Sequence, residues 1–108
     1  MEAVDNDGLT AEVTFEGGAT AVVRVVGEID ISTVDAVNTA LLTAIGRTPD
    51  RVVFDLSGVE FMDSSGIAAL LRARKAASSI QIRNPSTVVR RLIDMTGLAD
   101  ILPIEPAP

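Results

Sequence analysis

The stretch that decides the fold is VVFDLSGVEFMDSSGIAALLRARK, residues 52–75. Val52, Val53, Phe54, Asp55 and Leu56 form an apolar run with one polar break, which predicts a buried strand over 52–56. Ser57-Gly58 is a turn signal. Phe61-Met62 lead into the polar cluster Asp63-Ser64-Ser65-Gly66. Beyond it Ile67, Leu70, Leu71 and Arg74 recur at helical spacing, predicting a helix over about 65–77. Two serines therefore sit where a strand hands over to a helix. The first backbone N–H groups of a helix have no partners inside it. A serine oxygen can accept from one of them, and the helix dipole favours negative charge at the same spot. Taken alone, such a cluster reads as a helix cap.

Working outward, Ala11, Val13 and Phe15 alternate with Glu12, Thr14 and Glu16, the pattern of a half-buried strand. Gly17-Gly18 is a hairpin turn, and Thr20 to Val26 returns as a second strand that Gly27 ends. Ser32-Thr33-Val34-Asp35 marks a helix start. Val34, Val37, Leu41 and Ile45, with Ala40 and Ala44, give that helix one apolar face, and Gly46 stops it. On the other side, Ile80 and Ile82 alternate with Gln81 and Arg83 in a short strand. Pro85 fits the first turn of a third helix, whose buried face is Val88, Val89, Leu92, Ile93 and Met95, with Gly97 as its cap. Ile101, Leu102 and Ile104 suggest a last strand that Pro103 restricts to an edge. The order is β-β-α-β-α-β-α-β. Strands joined through helices predict a mostly parallel sheet of four to five strands, opened by one antiparallel hairpin and covered by three helices on one face.

The chain has 108 residues, the length of one domain, and residues 1–9 are polar enough to be expected loosely ordered. Apolar residues make up 47% and aromatics 3%, so the core must be aliphatic. Residues 1–63 hold twelve acids against three bases, and residues 64–108 three acids against six bases, for a net charge of −6. That balance argues against nucleic-acid binding, which needs basic surface to release counterions. Arg72, Arg74, Lys75, Arg90 and Arg91 read as solvated faces. With no Cys and no His, disulfides, thiol chemistry and His metal ligation are excluded, as is a Ser-His-Asp triad within the chain. No Walker or dinucleotide-binding glycine loop is present. The N-terminus lacks the features of a signal peptide, and no apolar run approaches the length of a membrane span. The cytoplasm is the expected location.

Three ordered segments carry a family resemblance. Phe61-Met62-Asp63-Ser64-Ser65-Gly66 with Ile67 and Leu70-Leu71 resembles the phosphorylation-site segment of bacterial anti-sigma factor antagonists of the STAS domain family. Val25-Val26-Gly27-Glu28-Ile29-Asp30 resembles that family's Gly-Glu-Leu/Ile-Asp turn. Asn84-Pro85-Ser86 with Val88, Arg91, Leu92, Asp94, Met95 and Thr96-Gly97-Leu98 resembles its C-terminal segment. Together they span residues 25–98.

The resemblance implies a single STAS domain over 1–108, ending before one further helix that family members usually carry. It implies Ser64 as the phosphate acceptor and Ser65 as the helix cap. Glu28, Asp30, Asp63, Ser64, Ser65 and Gly66 would form the partner surface, with Asn84 and Ser86 on its rim. The expected function is that of an anti-anti-sigma factor in stress or developmental transcription control. Unphosphorylated, it binds an anti-sigma factor that is also a serine kinase of histidine-kinase-type ATPase fold, so releasing a sigma factor. That partner, or a related kinase, phosphorylates Ser64 with ATP, and a phosphatase removes the phosphate. Such a domain is a substrate and binding module with no cofactor, metal or catalytic residue. The alternative within the family is a regulatory or scaffold subunit of a membrane transport complex.

Overall fold

Alternation along the strands sorts the sheet into one buried and one open face. A computed structural model describes residues 2–6 and 8–105 of the chain. Its elements are β1 (Glu2–Asn6), β2 (Leu9–Glu16), β3 (Thr20–Ile29), α1 (Val34–Ile45), β4 (Arg51–Met62), α2 (Ser64–Ala76), β5 (Ile80–Arg83) and α3 (Thr87–Met95). The strands form one sheet in the order β1-β2-β3-β4-β5. The first two pairings are antiparallel, β3–β4 and β4–β5 are parallel, and Ile104 adds a parallel bridge to Ile82. The sheet is thus mixed.

Cross-strand partners Ala11↔Val25, Val13↔Val23, Val23↔Phe54 and Phe54↔Ile82 point to one side, and all are buried. They join Val37, Ala40 and Leu41 of α1, Ile67 and Leu70 of α2, and Val89 and Ile93 of α3 in a single core. The three expected helices therefore lie on one face. Small Ala side chains on α1 let it approach β2 and β3 closely, which suits a core with little aromatic volume.

Five expectations need correction. Glu2–Asn6 is a strand and Leu9 is buried, so the loosely ordered start was misjudged; Met1 and Asp7 lie outside the described residues. Gly27 does not end β3, which continues to Ile29. Gly27 has φ +116°, and a β-carbon there would lie 2.3 Å from the Gly8 carbonyl oxygen, so it permits a backbone crossing inside the sheet. Ser57-Gly58 is a bulge and not a turn. From Arg24 to Val26 the partners on β4 advance from Asp55 to Gly58, one residue more than β3 does. The Asp55 carboxylate holds that bend, accepting from the Ser57 N–H at 3.1 Å and hydroxyl at 2.8 Å. Finally, Val88 and Met95 are exposed at 40% and 77%, leaving Val89 and Ile93 as the buried face of α3. The expected last strand reduces to the Ile104 bridge, with Leu102 fully buried.

On the open face Val22 and Val53 are nonetheless buried. Their neighbours include Arg51, Gln81 and Arg83, whose long stems cover apolar surface while their heads stay wet. The Arg83 guanidinium donates to Glu105 at 2.8 Å and to Glu16 at 3.0 Å, tying β5 to β2 and to the C-terminal segment. Hydrogen bonds from Arg83 hold both carboxyls below their ordinary 4.5. Lowered carboxyl pKa values stabilise the fold fully above the unfolded value and lose that contribution as pH falls through the folded values. Thermal melts between about pH 6 and pH 3 should show this loss below about 4.5, and Arg83→Met should flatten that part of the profile.

Candidate functional site

The ends of β3 and β4 lie side by side, because Ile29 pairs with Met62 and the Asp63 N–H donates to the Ile29 carbonyl at 3.2 Å. Two acid-led loops therefore leave the sheet together: Asp30 into α1, and Asp63 into α2.

Asp63 sits in extended conformation at the N-cap of α2, and its carboxylate accepts from the Ser65 N–H at 2.8 Å. Its carbonyl accepts from Gly66 N–H at 3.0 Å. The cap is thus Asp63, and not Ser65 as expected. The helix starts one residue earlier than the apolar spacing alone indicates, and the capping oxygen is a carboxylate that accepts from the N–H of Ser65 itself. Ser64 becomes the first helical residue. It is exposed, and its hydroxyl bonds to none of the described residues. Ser65 is half-buried on the second position. Asp63→Ala should cost about 1 kcal/mol of stability, read from a denaturant titration, because the cap is lost.

Gly66 is buried against the sheet. A β-carbon there would lie 2.3 Å from Met62 Cγ, 2.6 Å from its Sδ and 3.1 Å from Ile29 Cγ2. Its role is close packing of the first turn of α2 on the two strand ends, behind the surface that carries Ser64.

Asp30 turns the first loop. Its Oδ1 accepts from the Ser32 N–H at 2.9 Å, the Ser32 hydroxyl at 2.7 Å and the Thr33 N–H at 3.2 Å. The Ser32 hydroxyl bond, then the Ser32 backbone bond, hold its carboxyl below 3.8. Asp30 therefore shapes its own loop as well as carrying charge at its surface. Thr33, missed as a site residue, is buried and locks the turn: its hydroxyl donates to the Glu28 carbonyl at 2.8 Å and accepts from the Asp30 N–H at 3.0 Å. The sequence signal was present, since Thr33 stood in the helix-start pattern. Glu28 is exposed on the open face, opposite Phe61.

Asn84 and Ser86 fall elsewhere. Arg83 is level with Asp55 and so with Arg24, and five more residues of β3 reach Ile29 beside Met62, which places their loop about 16 Å back along the sheet at 3.3 Å per residue. Ser86 caps α3 by accepting from the Val89 N–H at 3.4 Å, and its own N–H donates to the Leu56 carbonyl. Asn84, exposed with φ +48°, makes the turn before it. Two apolar side chains near the Ser64 end are exposed: Ile31 at 81% and Phe61 at 46%.

The site is the exposed Ser64 hydroxyl at a helix start, unpaired among the described residues, with carboxylates on both neighbouring loops. No group of three potential metal-ligating side chains is gathered among the described residues. Among the same residues no helix is long and apolar enough to cross a membrane.

The fold and this site define a STAS domain, and the chain belongs to that family, whose model matches residues 10–107. It is 35% identical over 88 residues to the anti-sigma F factor antagonist of Paenibacillus polymyxa, covering 77% of this chain and 75% of that protein. It is 34% identical over 95 residues to the anti-sigma-F factor antagonist RsfB of Mycobacterium tuberculosis, covering 85% and 77%. The crystal structure of an anti-sigma factor antagonist from Mycobacterium paratuberculosis superposes with a TM-score of 0.83 at 31% identity, covering 92% of this chain and 86% of that one.

Proposed function

We propose that this protein is an anti-sigma factor antagonist controlled by phosphorylation of Ser64. Unphosphorylated, it binds an anti-sigma factor through the surface around Glu28, Asp30, Asp63 and Ser64, and so frees a sigma factor. The anti-sigma factor, or a related serine kinase, transfers the γ-phosphoryl group of ATP to Ser64 Oγ. The hydroxyl proton leaves, the bond to the β-phosphate oxygen breaks, and ADP departs. A phosphatase hydrolyses the ester and resets the protein. The domain is the substrate of this cycle and not its catalyst, and it works in the cytoplasm.

The observation that carries this reading is the exposed Ser64 hydroxyl on the first residue of α2, with Asp63 already satisfying the helix start. A phosphate adds about −1.5 to −2 charge. At this position the helix dipole tolerates it, so the fold is retained. None of the N–H groups that Asp63 engages needs to be given up. The cations of α2 begin at Arg72, about 12 Å along the helix axis at 1.5 Å per residue. The phosphate therefore has no partner on its own helix, and it joins an acidic surface. Incubation with each purified kinase-type anti-sigma factor of the host and labelled ATP tests the reading. Label should enter the wild type and not Ser64→Ala. Equal labelling of both would refute Ser64 as the acceptor.

A further inference from the structure

We propose that Phe61 is an anchor of the partner surface, seated in an apolar pocket with a basic rim on the anti-sigma factor. The inference rests on the function proposed above and adds to it a residue and a partner chemistry.

Val59 and Met62 are buried, and the two residues between them, Glu60 and Phe61, are both exposed. Simple alternation would send Phe61 to the same side as Val59, into the core. A second register shift prevents that: Gly27 pairs with Val59 but Glu28 pairs with Phe61, leaving Glu60 as the extra residue. The bulge puts Met62 inside and turns Phe61 to the open face beside Glu28. Re-aiming a side chain next to a functional site is a recurrent use of bulges.

The other two aromatic residues are treated differently. Phe54 is 1% exposed, and Phe15 is half-buried with the Arg47 guanidinium 4.4 Å from its ring centre. Phe61 alone presents a large part of its ring to water. Aromatic side chains dominate the centres of protein interfaces. Ser64 is three residues on from Phe61, at most about 11 Å away. Val26 lies on the same face and is 37% exposed. Glu28 and Glu60 are exposed around this apolar spot, and Asp63 is half-exposed beyond it.

Two half-exposed apolar side chains fall far short of the roughly 800 Å² per partner of a stable interface. The spot is therefore one part of a footprint continuous with Ser64. A second copy of this chain fits poorly, since two-fold pairing would set Glu28 and Glu60 against acids of their own kind. A basic partner with an apolar pocket meets both features.

The test is calorimetric titration of wild type, Phe61→Ala, Phe61→Leu and Ser64→Glu against each purified kinase-type anti-sigma factor of the host, with a thermal melt and a sedimentation run on each variant. Phe61→Ala should weaken binding about 30-fold or more, and Phe61→Leu by less, with melting temperatures within about 8 °C of the wild type. Phe61→Ala that binds within about threefold of wild type, while Ser64→Glu loses affinity, would overturn this inference and leave the proposed function standing. So would wild-type self-association abolished by Phe61→Ala. Failure of the wild type to bind any of these factors would overturn the proposed function and the anchor with it.

Discussion

Phosphorylated protein is expected to bind the anti-sigma factor about a hundredfold more weakly than unphosphorylated protein, at 1.4 kcal/mol per decade, with its melting temperature nearly unchanged. Both halves of this expectation come from the same first turn of α2. Binding suffers because a bulky, strongly hydrated dianion replaces a small hydroxyl within the contact, beside Asp63 and next to the strand end that carries Asp30 and Glu28. Desolvating a buried ion costs several kcal/mol, and about 3 kcal/mol left uncompensated suffices for the stated loss. Stability does not suffer, because Ser64 is exposed and its hydroxyl makes no bond to the described residues that phosphate would break. The single charge of Ser64→Glu should produce a smaller loss, about tenfold. Ser64→Ala should bind constitutively. The check is a titration paired with a melt for each form. A phosphorylated form that melted much earlier would mean that the switch works by unfolding.

Gly66→Val is expected to lower stability by about 3 kcal/mol or more, near the upper end for overpacked sites. A loss of that size lowers Tm by about 10–20 °C in a domain of this length. The first β-carbon atom already falls within 2.6 Å of two atoms of Met62, which is itself buried, and near Ile29 Cγ2. These are the last residues of β3 and β4, so displacing them also displaces Asp30 and Asp63. Binding should therefore fall beyond what partial unfolding explains. Gly46→Ala is the matched control. Gly46 has φ −58°, and the nearest atoms to its added carbon are carbonyl oxygens at 3.4 and 3.5 Å, so Tm should change by only about 2–4 °C. A Gly66→Val protein as stable as the Gly46→Ala control would remove the close-packing role assigned to this glycine.

The sequence shows the repeating parts of this fold well and the local interruptions poorly. The alternation of Ala11, Val13 and Phe15 and the apolar face of α1 are written over several periods, and both were legible. β1 was not, because Glu2-Ala3-Val4-Asp5-Asn6 is an edge strand, and edge strands carry the polar residues that also mark loops. Ser57-Gly58 has the composition of a turn, and the same residues serve a bulge, so only the partner register on β3 separates the two. The second bulge decides whether Phe61 faces the core or water, which alternation alone misstates. That the segment 61–66 and the loop at Asp30 are neighbours was legible through motif resemblance, and the Ile29–Met62 pairing explains why they meet. The separation of Asn84 and Ser86 from that site was not legible, because it depends on β4 outrunning β5.

The most direct measurement is intact and tryptic mass spectrometry of the protein isolated from its own host, with and without phosphatase treatment. One phosphate on Ser64, removed by the phosphatase, is the expected result. Absence of phosphate during growth, stress and stationary phase alike would contradict the switch, and would leave Ser64 as an exposed helix-start residue of a constitutive binding module.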